Sequence, residues 1–274
     1  FIDTGITEQC MVGMSAGLAL RGRIPVIHAL SAFLSMRAYE FVRTDLGIGN
    51  LPVKLSSFIP GFLSDANGPT HQAIEDISLM RGIPNMTVFA PADEDDLVKS
   101  LPAIWASTSP AYVRINTRPS KINHAPFEIG KAEVLSKGSD ITFLTYGLML
   151  EQVVEAAEIL RQAGKSVGVV NMRTLKPVDV DAILNAVKTS ERIITVEDHF
   201  KTGGLYSIVA EVLLEHGLKA DVTPFALNDK WFKPALLPAV LEYEGFTALQ
   251  IAEKVLGKKV SATKTKVLEN TFDE

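Results

Sequence analysis

The sequence predicts an α/β protein with two domains in series, each a mainly parallel β-sheet with helices on both faces. Short β-rich runs alternate with longer helical patterns, which is typical of doubly wound parallel sheets. A polar segment with two prolines, residues 119–131, interrupts the alternation, which then resumes. A chain of 274 residues is long enough for two ordinary domains. We therefore predict a first domain at 1–118, a linker at 119–131, a second domain at 132–257 and a polar tail at 258–274.

The first domain is predicted to contain four strands and four helices. The strands cover residues 24–28, 53–58, 86–90 and 111–115, and the helices lie near residues 7–20, 33–46, 71–81 and 93–106. Residues 1–3 are interpreted as the end of a buried strand, Gly5 as a tight turn and Thr7 as the cap of the first helix. Four consecutive acids at 93–96 indicate a helix N-terminus, where the helix dipole favours negative charge.

The second domain repeats the same alternation. Its strands are predicted at residues 141–145, 166–170, 192–196 and 222–226, and its helices near residues 149–164, 178–189, 203–216 and 236–256. The glycine pair at 203–204 is interpreted as a close turn from strand to helix, with binding of an anion at the helix N-terminus as the alternative.

Composition excludes several classes of protein. The net charge of -5 argues against nucleic acid or an anionic membrane as the main partner. A single cysteine excludes an internal disulfide and fits a reducing compartment, so a cytoplasmic location is expected. No apolar run approaches the roughly 18 residues of a membrane span. The chain starts without Met inside an apparent strand, which leads us to expect further residues upstream of it.

Four candidate site residues follow strand ends of the first domain. Ligands of open α/β sheets bind at the carboxyl ends of the strands, so Glu8, Phe33, His71 and Arg118 could line a common crevice. Each also has an ordinary explanation: a carboxylate at a helix N-terminus, a core aromatic, a hydrogen-bonded histidine and a surface arginine. The sequence shows no zinc-ligand spacing, no GxSxG motif, and neither a GxGxxG nor a Walker loop.

Four segments taken together resemble one enzyme family. They are DTGITEQ, SAFLSMRAYEFVRTDLG, NGPTHQAIEDISLMRGIPNMTVFAPAD and VNMRTLKPVD…ITVEDHFKTGGLYSIVAEVL. Over about residues 1–257 the chain resembles the thiamine-diphosphate-dependent transketolase superfamily, and most of all the separate C-terminal subunit of split transketolases. The resemblance implies a pyrimidine-binding domain followed by a transketolase C-terminal domain. It also implies a partner subunit whose pyrophosphate-binding domain holds Mg²⁺ and the diphosphate, in an α2β2 assembly.

The resemblance assigns cofactor contacts to three residues. Glu8 matches the glutamate that hydrogen-bonds N1′ of the aminopyrimidine and thereby assists removal of the proton from C2 of the thiazolium ring. Phe33 matches the aromatic residue that stacks on the aminopyrimidine, and Ile6, within the same motif as Glu8, is expected to contact the cofactor. The protein would orient and tune the cofactor, which performs the carbon chemistry.

The resemblance also assigns substrate contacts. His71 matches a histidine that faces the substrate and the reacting carbon, which makes it the second catalytic candidate after Glu8. Arg118 matches an arginine that holds the sugar phosphate, with Arg114 as the alternative if the loop is shifted. A shifted loop would also allow His28 to contact the substrate.

Several positions depart from the family pattern. Leu30 and Met36 stand where transketolases usually have further aromatic residues. Ile59 occupies the position of a substrate histidine, Asn67 replaces an aspartate that reads a donor hydroxyl, and Asp65 is an acid where glycine is common. These changes predict a redirected sugar site, in which Asn67 and Asp65 contact a sugar of altered stereochemistry, substitution or terminal acid.

The predicted function is transfer of a two-carbon ketol unit from a ketose, either a phosphate or another anionic or modified sugar, to an aldose. Activity is expected only with the partner subunit. The alternatives within enzymes are a deoxyxylulose-phosphate-synthase-like subunit and a subunit like the β chain of 2-oxoacid dehydrogenases. A non-catalytic binding or scaffolding subunit is the alternative from another class.

Overall fold

The computed structural model describes residues 1–260, which form two five-stranded β-sheets with helices around them. The strands are β1 (Val26–Leu30), β2 (Lys54–Phe58), β3 (Thr87–Phe89), β4 (Ala111–Ile115), β5 (Glu133–Ser136), β6 (Ile141–Thr145), β7 (Val167–Asn171), β8 (Thr174–Lys176), β9 (Arg192–Phe200) and β10 (Asp221–Leu227). The α-helices are α1 (Glu8–Leu20), α2 (Tyr39–Phe41), α3 (Asp76–Arg81), α4 (Glu94–Ala106), α5 (Met149–Gln162), α6 (Val180–Thr189), α7 (Leu205–Glu215), α8 (Leu237–Glu244) and α9 (Ala248–Leu256).

Both sheets are mainly parallel, which confirms the predicted fold class. The first has the strand order β1-β2-β4-β3-β8, and the second has the order β10-β9-β6-β7-β5. Only β8 and β5 run antiparallel to their neighbours, β3 and β7. All residues of β6 and β7 are buried, as expected for parallel strands covered by helices on both faces. The changes of strand order place the carboxyl ends of β1, β2 and β4 side by side at one edge.

The structure refines several predicted helices. The helix expected at 33–46 is irregular: π-helical turns at Phe33–Arg37 and Val42–Ile48 flank the short α2. The helix expected at 236–256 is two helices, because Gly245 adopts a left-handed conformation (φ 82°) that ends α8. The acidic run at 93–96 does form a helix N-terminus, where the Asp93 side chain accepts a hydrogen bond from the Asp96 amide.

Other predictions were wrong. Residues 1–3 form no strand and are exposed. Gly5 does turn the chain (φ 66°), but the Thr7 hydroxyl donates to the Thr4 carbonyl instead of capping α1. The helix expected at 71–81 is confined to α3, because residues 71–75 form an irregular turn. Of the predicted tail, residues 261–274 lie outside the described part of the chain.

The first and second regions of the chain (residues 1–118 and 132–257) each contribute residues to the sheet or core of the other, which the sequence does not indicate. The pattern missed both short antiparallel strands, and β8 of the second region completes the sheet of the first by pairing with β3. In the opposite direction, Phe62 and Ile74 of the first region pack within the hydrophobic core of the second. The segment that carries Phe62 therefore takes its support from both regions.

Candidate active site

Three of the predicted site residues lie along one chain of contacts. Glu8 is the first residue of α1, and its side chain is only 7% exposed. The Arg37 Nη1 donates to Glu8 Oε2 at 3.1 Å, and the Arg37 Cζ lies 3.9 Å from the centroid of the Phe33 ring. The Phe33 ring meets the His71 ring edge-on, with 5.1 Å between the centroids. The structure thus brings Glu8, Phe33 and His71 together through Arg37.

Sequence reasoning missed Arg37. The signal that could have found it is its spacing, since residues four apart on a helix face the same side and Arg37 follows Phe33 by four. Its guanidinium is planar and carries several N–H donors, so it can lie on an aromatic face and bond a carboxylate at the same time.

Hydroxyl groups fix the start of the segment that carries Phe33. The Ser31 hydroxyl donates to the Phe58 carbonyl at 2.8 Å and lies 2.6 Å from the Ser57 hydroxyl. The Ser35 hydroxyl donates to the Ser31 carbonyl at 2.7 Å. These bonds tie the turn after β1 to the end of β2, so the orientation of Phe33 is set by the edge of the sheet.

Two cavities flank this chain of contacts. A cavity of about 430 Å³ lies between residues 1–5, α1 and β1, and Glu8, Met11, Met14 and His28 are among its lining residues. The exposed His28 ring lies 2.9 Å from the Ser56 hydroxyl through Nδ1, so His28 faces the cavity of Glu8 and not the Phe33–His71 contact. Ile6, the third predicted cofactor contact, is exposed.

The second cavity is an open groove of about 470 Å³ over Phe33. Arg37, Thr70, Glu75 and Trp231 are among the other residues that line it. Burial raises the pKa of the half-buried Glu75 carboxyl, and this outweighs the hydrogen bond that it accepts from the Ile74 amide. The groove therefore combines an aromatic face, a cation and an acid that holds its proton to higher pH than usual.

The two candidate arginines lie elsewhere. The exposed Arg118 side chain pairs with Glu151 at 3.4 Å and lines a separate groove beside α5. Arg114 is buried between Asp76 and Asp198, at 2.9 and 2.8 Å. Neither guanidinium joins the Glu8–His71 chain of contacts in this structure; each pairs with a carboxylate elsewhere.

The loop residues that depart from the family pattern make hydrogen bonds within the chain or adopt a constrained backbone conformation. Asp65 Oδ2 accepts from the Leu237 amide at the start of α8, at 3.1 Å, and the Asn67 side chain donates to the Ser64 carbonyl at 3.2 Å. Ile59 has a φ of 47°, which is strained for a β-branched residue and marks the end of β2 as a constrained turn. Their roles toward a sugar stay predictions.

The glycine pair at 203–204 has a local explanation. The amides of Leu205 and Tyr206 at the start of α7 donate to the buried Glu197 carboxylate, at 2.6 and 3.0 Å. A side chain at Gly204 would collide with that carboxylate. The helix N-terminus thus binds a buried carboxyl group of the protein itself, whose pKa burial raises to about 8.

Within residues 1–260, no group of three or more His, Cys, Asp or Glu side chains is arranged to hold a metal ion. None of the helices in this part of the chain has the length and apolar character that crossing a membrane requires.

Family models match nearly the whole described chain. The transketolase pyrimidine-binding domain matches residues 1–120, and the transketolase C-terminal domain matches residues 130–251. The chain therefore belongs to the transketolase family, a family of thiamine-diphosphate enzymes. More specifically, it corresponds to the C-terminal subunit of a split transketolase, as the following relatives indicate.

Three relatives are matched over about four fifths of their own length. A protein of Methanocaldococcus jannaschii assigned as a transketolase C-terminal section is 36% identical over 93% of this chain and 82% of its own. The 6-deoxy-6-sulfo-D-fructose transketolase subunit SqwH of Clostridium sp. (strain MSTE9) is 36% identical over 91% of this chain and 78% of its own. A solved structure named a split gene transketolase, inactive beta4 tetramer, superimposes with a TM-score of 0.86 at 34% identity, over 94% of this chain and 83% of that one.

Proposed function

We propose that this chain catalyses transfer of a two-carbon ketol unit only in an assembly with a subunit that carries the pyrophosphate-binding domain. The observation that carries the proposal is the continuous contact from Glu8 through Arg37 and Phe33 to His71 in a member of the transketolase family. A carboxylate, an aromatic face and a histidine within one site are the groups that the reaction needs from this half of the enzyme.

The residues present fit the aminopyrimidine end of thiamine diphosphate. The nearly buried Glu8 carboxylate can accept a hydrogen bond from N1′ and hold a proton at that atom, while Phe33 offers a ring for stacking. Met11 and Met14 give the neighbouring cavity an apolar wall. When bound, the cofactor supplies the carbon nucleophile that accepts the ketol unit.

His71 is the residue placed to contact the substrate. Its ring lies against Phe33, and its Nδ1 is 2.9 Å from the Thr70 hydroxyl, which leaves Nε2 as the nitrogen available to a sugar oxygen. The substrate class that we propose is an anionic ketose with a modified end. The name of the relative SqwH supports this, because 6-deoxy-6-sulfofructose is such a sugar.

The proposal also covers the partner subunit, the metal ion that it holds and the cellular location of the assembly. We propose that the partner subunit holds Mg²⁺ and the diphosphate, since the family models matched here are those of the pyrimidine-binding and C-terminal domains. An α2β2 assembly with sites between subunits is the proposed form. A cytoplasmic location is proposed from the single cysteine.

Reconstitution tests the function. The chain is assayed alone and with the pyrophosphate-domain subunit, with thiamine diphosphate and Mg²⁺, with 6-deoxy-6-sulfofructose, fructose 6-phosphate or xylulose 5-phosphate as the donor and an aldose phosphate as the acceptor. Turnover is expected only with the partner; ketol transfer by the chain alone, or by no combination, contradicts the proposal. Pyruvate with glyceraldehyde 3-phosphate tests the synthase alternative. A kcat/KM above about 10⁵ M⁻¹s⁻¹ for xylulose 5-phosphate with ribose 5-phosphate would refute the redirected sugar site.

A further inference from the structure

Trp231 is exposed although the residue next to it is firmly anchored. Its side chain belongs to the second region and is 60% exposed. Phe232 is fully buried and packs edge-on against Phe62, with 5.2 Å between the ring centroids. The Gln72 side chain, one residue after His71, donates to the Phe232 carbonyl at 2.8 Å. The backbone that carries Trp231 is thus bound directly to the loop that carries His71.

Contacts with α8 hold the same segment from the other side. The Tyr243 hydroxyl donates to the Lys233 carbonyl at 2.5 Å, and the Lys230 ammonium pairs with the Glu244 carboxylate. The residues that follow Trp231 are therefore anchored while its indole remains uncovered. An exposed aromatic side chain on a fixed backbone loses little conformational entropy on contact with a ligand, which favours a binding role.

The indole faces the candidate site. It lines the groove of about 470 Å³ together with Phe33, Arg37, Thr70 and Glu75. This volume suits a small molecule. The polar and ionisable groups beside the indole are those expected around a sugar, and this favours a small polar ligand over a flat apolar protein contact.

We propose that Trp231 is a specificity-determining residue, whose indole forms the outer wall of the substrate groove and packs against the carbon chain of the ketose. The second domain then takes part in substrate selection and does not serve only as a support. The flat indole offers an apolar face for C–H groups and one N–H donor at its edge. This inference rests on the proposed function, because the ketose is its ligand.

Kinetics of the reconstituted assembly test the role of Trp231. Trp231→Ala is expected to raise KM for fructose 6-phosphate or 6-deoxy-6-sulfofructose by about tenfold or more, with kcat within about twofold. Trp231→Phe should recover most of the lost affinity, since it restores an aromatic face. Trp105→Phe, at the other and exposed tryptophan on α4, is the matched control and should leave both constants unchanged. An unchanged KM for Trp231→Ala overturns the proposal, as does a variant that binds the partner more weakly but has the parental KM once it is assembled.

Fluorescence gives a second readout that does not depend on turnover. The difference in emission between assemblies with Trp105→Phe and with Trp105→Phe/Trp231→Phe reports Trp231 alone. Fructose 6-phosphate and 6-deoxy-6-sulfofructose should change this emission with a saturable concentration dependence. If neither sugar changes it, Trp231 does not line their site. If the emission responds but no sugar is turned over, the proposed function fails while the assignment of Trp231 stands.

Discussion

Two arginines of the first domain, Arg37 and Arg114, each pair with carboxylates, but their surroundings differ. The Arg37 side chain is 42% exposed and has one carboxylate partner, Glu8. Arg114 is 3% exposed and bonds to Asp76 and to Asp198, which are also buried. Water and salt weaken the first pair and hardly reach the second. The Arg37–Glu8 pair can therefore break and re-form easily, whereas the pairs of Arg114 are retained in the folded protein.

The buried cluster joins the two regions of the chain. Asp76 belongs to the first region and Asp198 to the second, so Arg114 bridges them. Asp198 also accepts from the Phe62 amide at 3.3 Å, and a side chain at Gly61 would collide with both Asp198 and Arg114. Burial alone would lower the pKa of the Arg114 guanidinium, but the negative charges of Asp198 and Asp76 raise it well above its ordinary value. The position of one region relative to the other thus depends on this cluster.

The half-exposed pair lies at the proposed cofactor site. Arg37 covers Phe33 and occupies Glu8, which are the two residues proposed to hold the aminopyrimidine. A pair that contributes little stability can be rearranged at little cost, whereas the Arg114 cluster cannot. The candidate site therefore contains an ion pair that can rearrange, while the buried Arg114 cluster keeps the surrounding structure in place.

The largest effect is expected from Arg114→Met. The substitution leaves two buried carboxylates without a cation, and we expect a loss of about 3–5 kcal/mol in the free energy of unfolding. Urea denaturation followed by circular dichroism measures it. A loss below about 1 kcal/mol would show that the cluster does not join the regions as described.

Glu8→Gln is expected to abolish function while the fold persists. An amide cannot carry the proton at N1′, so kcat of the assembly should fall by about 100-fold or more. The rate of deuterium exchange at C2 of the cofactor should fall in parallel. Glu215→Gln, at an exposed carboxylate of α7, serves as the control and should exchange normally. Parent-like exchange in Glu8→Gln would exclude Glu8 as the activating group.

An intermediate effect concerns the linker, where His124 lies buried between Asp93 and Glu133, at 2.9 and 2.7 Å. Burial alone would lower the pKa of His124, but the hydrogen bonds to Glu133 and Asp93 raise it from 6.5 to about 9. Burial alone would raise the pKa of Glu133, but the bonds from His124, the Ala125 amide and Asn171 lower it from 4.5 to about 2.

These shifts predict a stability profile with a definite sign. The contribution of His124 is complete below pH 6.5 and is lost as the pH rises through 9, while that of Glu133 is complete above pH 4.5 and is lost as the pH falls through 2. Between pH 6.5 and 9 we expect a loss of roughly 1–3 kcal/mol in the free energy of unfolding. His124→Gln should flatten this decline and His216→Gln, on an exposed position, should not; equal profiles would contradict the assignment.

The smallest effect is expected from Arg37→Met, the matched counterpart of Arg114→Met. A half-exposed pair contributes little, so the free energy of unfolding should change by less than about 1 kcal/mol. The same urea denaturation at low and high salt measures it, and the small difference should shrink further as salt screens the pair. A loss as large as that of Arg114→Met would remove the contrast between the two sites.

The sequence alone was sufficient for the alternating α/β architecture, because hydrophobic periodicity is a local property that parallel strands and amphipathic helices both display. The positions of Glu8, Phe33 and His71 after strand ends, together with the family resemblance of their motifs, were enough to propose the site, and the structure does bring these three residues together. Elements with a weak local signal were missed, as β5 and β8 show: both are short, and their antiparallel partners are distant in sequence.

What only the tertiary structure decided is which charged groups meet. Arg118 and Arg114 were both candidates from the sequence, yet one pairs with Glu151 at the surface and the other is buried against Asp198, 84 residues away. Likewise, nothing local indicates that Asp65 would bond to the start of α8, or that Trp231 would stand beside Phe33. Such contacts depend on how two domains pack, and packing is decided by the fit of surfaces far apart along the chain, which no local pattern of residues encodes.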